Sequence, residues 1–217
     1  MNENSPIAIT ISRQIGSGAA YLGHQLAKRL GFAYVDREIL KEAARRFNIP
    51  EEIIAAKDES VTPLLQSLIQ SLRFGVSDIG YVPPVYMPSD REYFGVESEI
   101  IAQIAGNCSS VIIGRCGYYV LRNHPRHLSV FIHGSYGYRR KRIVDLYHVS
   151  EREAQRMIES NDREREQYRR TKTGQECMEP SLFHLCFDSS VLGLDVVEEA
   201  IIVCLRSRFG IEVPPSP

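Results

Sequence analysis

An apolar run, Ile7-Ala8-Ile9-Thr10-Ile11-Ser12, leads into Arg13-Gln14-Ile15-Gly16-Ser17-Gly18 and then into Ala19–Leu30. The run is β-branched enough to be a buried strand. In the segment that follows, Leu22, Leu26, Ala27 and Leu30 recur at helical spacing, and Gly31 ends the pattern. A strand, a glycine turn and a helix in that order constrain the chain to an α/β architecture. They also create the setting in which backbone amides at a helix start cradle phosphate. The lysine and hydroxyl residue that normally complete such a loop are absent, with Ala19 and Ala20 in their places.

The alternation continues along the chain. Strands are expected at Ile7–Ser12, Phe32–Val35, Ser110–Ile113, Leu128–His133 and Phe183–Phe187. Helices are expected near Ala19–Leu30, Arg37–Phe47, Glu51–Ala56, Thr62–Arg73, Glu92–Gly106, Tyr136–Leu146, Glu151–Arg170 and Asp195–Arg208. Short strands alternating with longer helices predict a doubly wound, five-stranded parallel sheet. Between Phe74 and Tyr93, Gly75, Gly80, Pro83, Pro84 and Pro88 break the pattern. A loop closing over a ligand and a plain surface excursion both fit that composition.

Composition narrows the class. With 217 residues, 43% of them hydrophobic and 24% charged, the chain is long enough for one sizeable core. A net charge of −1 gives no overall field for a nucleic-acid polymer or a membrane surface. Basic residues are lopsided, with 21 arginines against five lysines. Arginine makes planar bidentate contacts to phosphate that lysine does not. Cys108, Cys116, Cys177, Cys186 and Cys204 are odd in number and form no C-x-x-C pair, as expected of reduced thiols. No apolar run has membrane length and Met1–Pro6 lacks secretory-leader character, so a cytoplasmic enzyme or binding protein is expected.

Ligands of open α/β sheets bind at the carboxyl ends of the strands. Gly16-Ser17-Gly18 follows the first strand, Asp36 and Arg37 the second, Gly114 and Arg115 the third, His133 and Gly134 the fourth, and Asp188-Ser189-Ser190 the fifth. Several strand ends with phosphate-friendly chemistry point to Arg37 and Arg115 as binding residues. Nine arginines lie from Arg139 to Arg170. At 100° per residue, Arg152, Arg156, Arg163 and Arg170 share a stripe with Glu159 and Glu166, the pattern of a solvated face. Ala154, Ile158, Asn161, Asp162, Arg165 and Arg169 fall on the other face. That face suits a lid whose guanidinium groups reach a phosphate on closure. A structural ion pair of Asp162 with Arg165 fits equally. Arg139 and Arg142, three apart, are placed to share one target. Tyr118 and Tyr119 are open to stacking on a base or to packing.

These residues resemble a known family. The runs Ile9–Gly18, Tyr34–Leu40, Ile112–Gly117, Val130–His133 and Tyr138–Ile143 look like the cytidylate kinase-like branch of the P-loop nucleoside monophosphate kinases. Asp162, Arg165, Tyr168, Gly174 and Asp188-Ser189-Ser190 complete the likeness. The resemblance implies a three-layer P-loop kinase fold in one domain over 1–217. It would have a small acceptor-binding insertion at 51–93 and an arginine-rich helical lid at 136–174. It implies phosphoryl transfer from ATP to a nucleoside monophosphate, CMP or dCMP, with Mg²⁺ bridging the donor phosphates. Gly16, Ser17 and Gly18 would hold the donor, with Arg13 adding positive charge. Asp36, Arg37 and Arg115 would hold the acceptor. Arg139, Arg142, Asp162 and Arg165 would gather around the transferring group. The branch more often carries glycine then arginine where Ala19 and Ala20 stand. That departure keeps a second reading open, a nucleotide-binding sensor or regulator with impaired catalysis, and no metal ligand is assigned.

Overall fold

The computed structural model describes residues 5–36, 94–176 and 178–213. The strands are β1 (Ala8–Arg13), β2 (Ala33–Val35), β3 (Ser110–Ile113), β4 (His127–His133) and β5 (Leu185–Asp188), paired in parallel in the order β2-β3-β1-β4-β5. The described helices are α1 (Ala19–Leu30), α2 (Phe94–Asn107), α3 (Gly117–Val120), α4 (Tyr136–Tyr147), α5 (Glu151–Thr173), α6 (Ser189–Leu192) and α7 (Leu194–Phe209). The expected helices Arg37–Phe47, Glu51–Ala56 and Thr62–Arg73, and the Phe74–Tyr93 break, lie outside the described residues.

β1 is central and buried on both faces. Ile9 and Ile11 are fully buried on one face, with Leu22 and Leu26 of α1 and Ile201 and Leu205 of α7 in the same cluster. Thr10 on the opposite face is also buried, beside Gly117 of α3. Each such isoleucine contributes about 1.5–3 kcal/mol by leaving water. Register runs Ala8 to Ser110 on one side and Ala8 to His127 on the other, so the carboxyl ends of β1, β3 and β4 finish together. The order reverses across β1, where β3 and β4 depart to opposite sides. That is the switch point at which such sheets bind ligands.

The fifth strand begins two residues later than its composition suggests. Pro180–Leu182 forms a 3₁₀ turn that the Phe183 amide closes onto the Pro180 carbonyl at 3.0 Å. The Phe183 ring is buried against Tyr118 and Phe131. Pairing therefore starts at Leu185, opposite Val130.

The long arginine-rich segment is a hairpin of α4 and α5 with its own small core of Ile143, Ala154, Met157 and Ile158. Ser150 caps α5 by accepting from the Glu153 amide at 3.2 Å, and Gly174 ends it in a left-handed conformation. Arg152, Arg156, Arg163 and Arg170 are exposed as their stripe predicts, Arg156 pairing with Glu153 and Arg170 with Glu176.

Candidate phosphate-binding and acceptor site

The turn after β1 is braced from three sides. Ser17 is fully buried and donates its hydroxyl to the Gln14 carbonyl at 2.8 Å. The Gln14 amide bonds the Ile132 carbonyl at 3.1 Å, and its side-chain oxygen accepts from the Gly134 amide at 3.3 Å. Ser189, just past β5, directs its hydroxyl at the carbonyls of Ser17 (2.8 Å) and His133 (2.9 Å). The loop is thus tied to the ends of β4 and β5 before any ligand arrives.

Glycine is required at 16 for two reasons. Its φ is +79°, and a Cβ there would lie 2.6 Å from the Arg139 carbonyl of α4. Gly18 is likewise left-handed at +84°, and a Cβ there would meet Leu194 at 2.8 Å and the Arg142 guanidinium at 3.2 Å. The first turn of α1 carries no acidic residue. A glycine turn at a helix start, with a guanidinium beside it, suits an anion.

One strand away, the turn after β3 is left-handed at three successive residues: Gly114 (φ +77°), Arg115 (+50°) and Cys116 (+51°). Non-glycine residues at positive φ cost free energy and recur at functional sites. A Cβ at Gly114 would overlap the Arg13 guanidinium, so the absence of a side chain there admits Arg13. The resulting cavity, about 120 Å³, is lined by Arg13, Arg115, Arg165 and Arg169, with Glu164 and Tyr168 on its α5 wall.

Arg115 is held firmly. Its Nη2 lies 3.1 Å from Oε1 of Glu97, a carboxylate only 2% exposed, and its guanidinium sits 5.2 Å from the Tyr168 ring centre. The Tyr168 hydroxyl donates to Oε2 of Glu97 at 3.2 Å. Arg169 donates to the carbonyls of Gln175 and Glu176, fixing the chain as it leaves α5. The Nε atoms of Arg115 and Arg169 are buried with no hydrogen-bond partner among the described residues. Buried guanidinium donors of that kind are costly unless a ligand satisfies them. The Cys116 thiol is pushed up to about 12 by burial, despite the nearby charges of Arg169 and Arg115. It is a neutral wall residue rather than a nucleophile.

The predicted site residues divide among three places. Arg13, Arg115 and Arg165 come together around the cavity, and Arg165 also donates from Nε to the Asn161 side chain. Gly16, Ser17, Gly18 and Arg142 meet at the loop, with the Arg142 guanidinium 5.7 Å from the Tyr138 ring centre. Arg139 and Asp162 form a pair of their own: the buried Arg139 donates from Nη1 and Nη2 to Oδ2 of Asp162 at 2.8 and 2.6 Å. Burial raises the Asp162 carboxyl, while Arg139 and Arg165 pull it back. The hydrogen-bonded ion pair of Asp162 is therefore with Arg139, and Arg165 acts on it only through its charge. Asp36 lies directly after β2, and Arg37 lies outside the described residues. Tyr118 packs on Phe183 and donates to Gln175, the packing use of that aromatic. Glu97 has no counterpart among the residues singled out from sequence.

A parallel sheet reversing at β1, a glycine loop at its switch point and an arginine-lined cavity beside it define a phosphate-loop kinase fold. The chain belongs to the cytidylate kinase-like family, whose profile it matches over residues 8–191. It is similar to an uncharacterized protein from Eubacterium ventriosum, 22% identical over 93% of this chain and 99% of that one, with a TM-score of 0.66. Shikimate kinase from Bacteroides thetaiotaomicron is 13% identical over 94% of this chain and 99% of that one, at a TM-score of 0.47. A gluconokinase from Sinorhizobium meliloti is 16% identical over 93% of each chain, at 0.48. Among curated protein sequences none matches this chain. No helix among the described residues is long and apolar enough to cross a membrane.

Proposed function

We propose that this protein transfers a phosphoryl group from ATP to a nucleoside monophosphate, CMP or dCMP. The observation that supports this reading is the nearness of two features suited to anions: the Gly16–Gly18 loop and the cavity lined by Arg13, Arg115 and Arg165. In this reading the amides of the loop and the start of α1 hold the donor phosphates, with Arg142 alongside. Arg115, Arg13 and Arg165 hold the phosphate of the acceptor, joined by Arg37, while Asp36 at the end of β2 serves its sugar or base. Transfer between two such sites needs little covalent help from protein; positioning and charge supply most of the rate. Arg139 and Asp162 contribute by fixing α4 against α5, which sets where Arg142 and Arg165 stand.

The loop fits a phosphate, as its two left-handed glycines and the absence of an acid in the first turn of α1 argue. It fits a protein-ligated Mg²⁺ poorly. Ala20 brings no hydroxyl, the Ser17 hydroxyl is committed to Gln14, and no group of three possible ligands occurs among the described residues. No step of the proposed transfer runs through a protein-bound metal. A second reading, nucleotide binding without transfer, is favoured by Ala19, which is 2% exposed and packed in the main core where a loop lysine would otherwise reach the donor. Phosphorus NMR of the protein with ATP, Mg²⁺ and a panel of nucleoside monophosphates separates the two. Diphosphate formed from CMP or dCMP is expected. Binding of ATP with no diphosphate from any acceptor would replace the first reading by the second.

A further inference from the structure

Glu97 lies in the first turn of α2, far in sequence from the end of any strand, and is buried to 2% exposure. A carboxylate taken out of water is costly unless charge and hydrogen bonds compensate it. Its two oxygens are used separately: Oε1 faces Nη2 of Arg115 at 3.1 Å, and Oε2 accepts from the Tyr168 hydroxyl at 3.2 Å. Tyr168 in turn lays its ring against the same guanidinium, 5.2 Å from its centre. Arg115 is therefore gripped on one edge and one face. Its Nε is buried and, among the described residues, without a hydrogen-bond partner, and the residue lines the cavity. The Nε atoms of Arg169, which also lines the cavity, and of Arg139, which does not, are in the same state.

We infer that Glu97 is a positioning residue: with Tyr168 it sets the guanidinium plane of Arg115 in the cavity wall, where the guanidinium is held ready for an oxyanion. Glu97 touches no ligand itself and acts through Arg115. The inference rests on the reading of this cavity as the acceptor-phosphate site, and it adds a link between α2, the β3 turn and α5. A glutamine at 97 keeps an oxygen for Arg115 and a polar partner for Tyr168, whereas an alanine leaves Arg115 with neither.

Two readouts test this, one of which needs no ligand. In the full chain with ¹⁵N-labelled arginine, the Arg115 Nε–H signal is assigned by its loss in Arg115→Ala. It is expected to exchange slowly in the native protein and in Glu97→Gln, and to broaden or exchange fast in Glu97→Ala. The milder Tyr168→Phe, which keeps the ring, is expected to speed exchange partway, and serves if Glu97→Ala does not fold. Calorimetric titration with CMP supplies the second readout. Glu97→Ala is expected to weaken binding by about tenfold or more, as befits a displaced charge-assisted hydrogen bond. Glu97→Gln, which keeps the oxygen and loses the charge, should fall between wild type and Glu97→Ala, and adding Glu97→Ala to Arg115→Ala should cost nothing further. An Arg115 Nε–H signal indifferent to all three substitutions would overturn the inference. So would a loss on Glu97→Ala that persists undiminished in the Arg115→Ala background. If the native protein binds neither CMP nor inorganic phosphate, the acceptor reading of the cavity fails, and the exchange data alone decide the positioning role.

Discussion

Arg139 of α4 places both terminal nitrogens of its guanidinium on one oxygen of Asp162 in α5, at 2.8 and 2.6 Å. Arg139 is 3% exposed, and its backbone carbonyl is the atom against which Gly16 is packed. The same residue therefore joins the arginine-rich hairpin to the phosphate loop. Arg139 is buried while Asp162 is partly open to water, so removing the carboxylate leaves a buried charge that solvent compensates only in part. Asp162→Asn is expected to destabilise the fold by about 1 kcal/mol, measured by urea unfolding, because the Asp162 side chain is 36% exposed and water screens the pair. Replacing both residues with methionine and leucine should recover most of that loss. A single variant as stable as the native chain would show the pair to be idle.

Gly16 is the most sterically constrained point of the loop. Gly16→Ala forces a left-handed side chain, costing about 1–2 kcal/mol from backbone conformation alone, and drives its methyl into the Arg139 carbonyl. Affinity for ATP should fall together with stability, read by calorimetry and thermal unfolding on the same sample. Unchanged ATP affinity would separate the loop from donor binding.

Two neutral histidines lie under the β4–β5 side of the sheet and predict a pH dependence. His127 is 3% exposed and pairs with the Thr10 hydroxyl at 2.8 Å across β1 and β4. Burial above all, with the neighbouring His184, His124 and Arg208 adding to it, holds its imidazole down to about 3 from an ordinary 6.5. His184, which accepts from the Ser129 amide at 2.9 Å, is also lowered by burial and by Arg208. Between the ordinary and the lowered values the unfolded chain takes up a proton that the folded chain refuses. Stability should be complete above about pH 6.5 and fall steadily as pH drops towards 3. The melting temperature is expected to decline from pH 7.5 to 5, with a shallower decline in His127→Gln. Equal slopes in the two proteins would remove His127 as the cause.

The Cys116 thiol, raised to about 12 by burial, should resist alkylation in the native state at pH 7.5 and react fully once the chain is unfolded. Peptide mass spectrometry after iodoacetamide treatment measures this directly. Rapid native labelling of Cys116 would mean that the cavity wall opens.

What is legible in the sequence is what is written locally. The apolar run to Ser12, the glycines at 16 and 18 and the helical spacing of Leu22 and Leu26 are near neighbours, and they place β1, the loop and α1 almost to the residue. Arg115 is legible because it directly follows a strand. The helices Gly117–Val120 and Ser189–Leu192 are not, since a single turn carries no periodicity. The start of β5 is misleading because Phe183 has strand composition but serves a ring cluster instead. The partner of Asp162 lies 23 positions away on another helix, so only the packing of α4 on α5 could choose Arg139 over Arg165. Glu97 stands two residues from an exposed Glu99 in the same helix, and nothing short of the fold distinguishes the buried acid from the solvated one.

The central claim is that the arginine-lined cavity beside the loop takes the phosphate of the acceptor. Calorimetric titration of CMP into the native protein and into Arg115→Ala addresses it most directly. Removing a charge-assisted hydrogen bond from a desolvated site should weaken binding by about 1.5–3 kcal/mol. An affinity for CMP that is unchanged in Arg115→Ala would contradict the account.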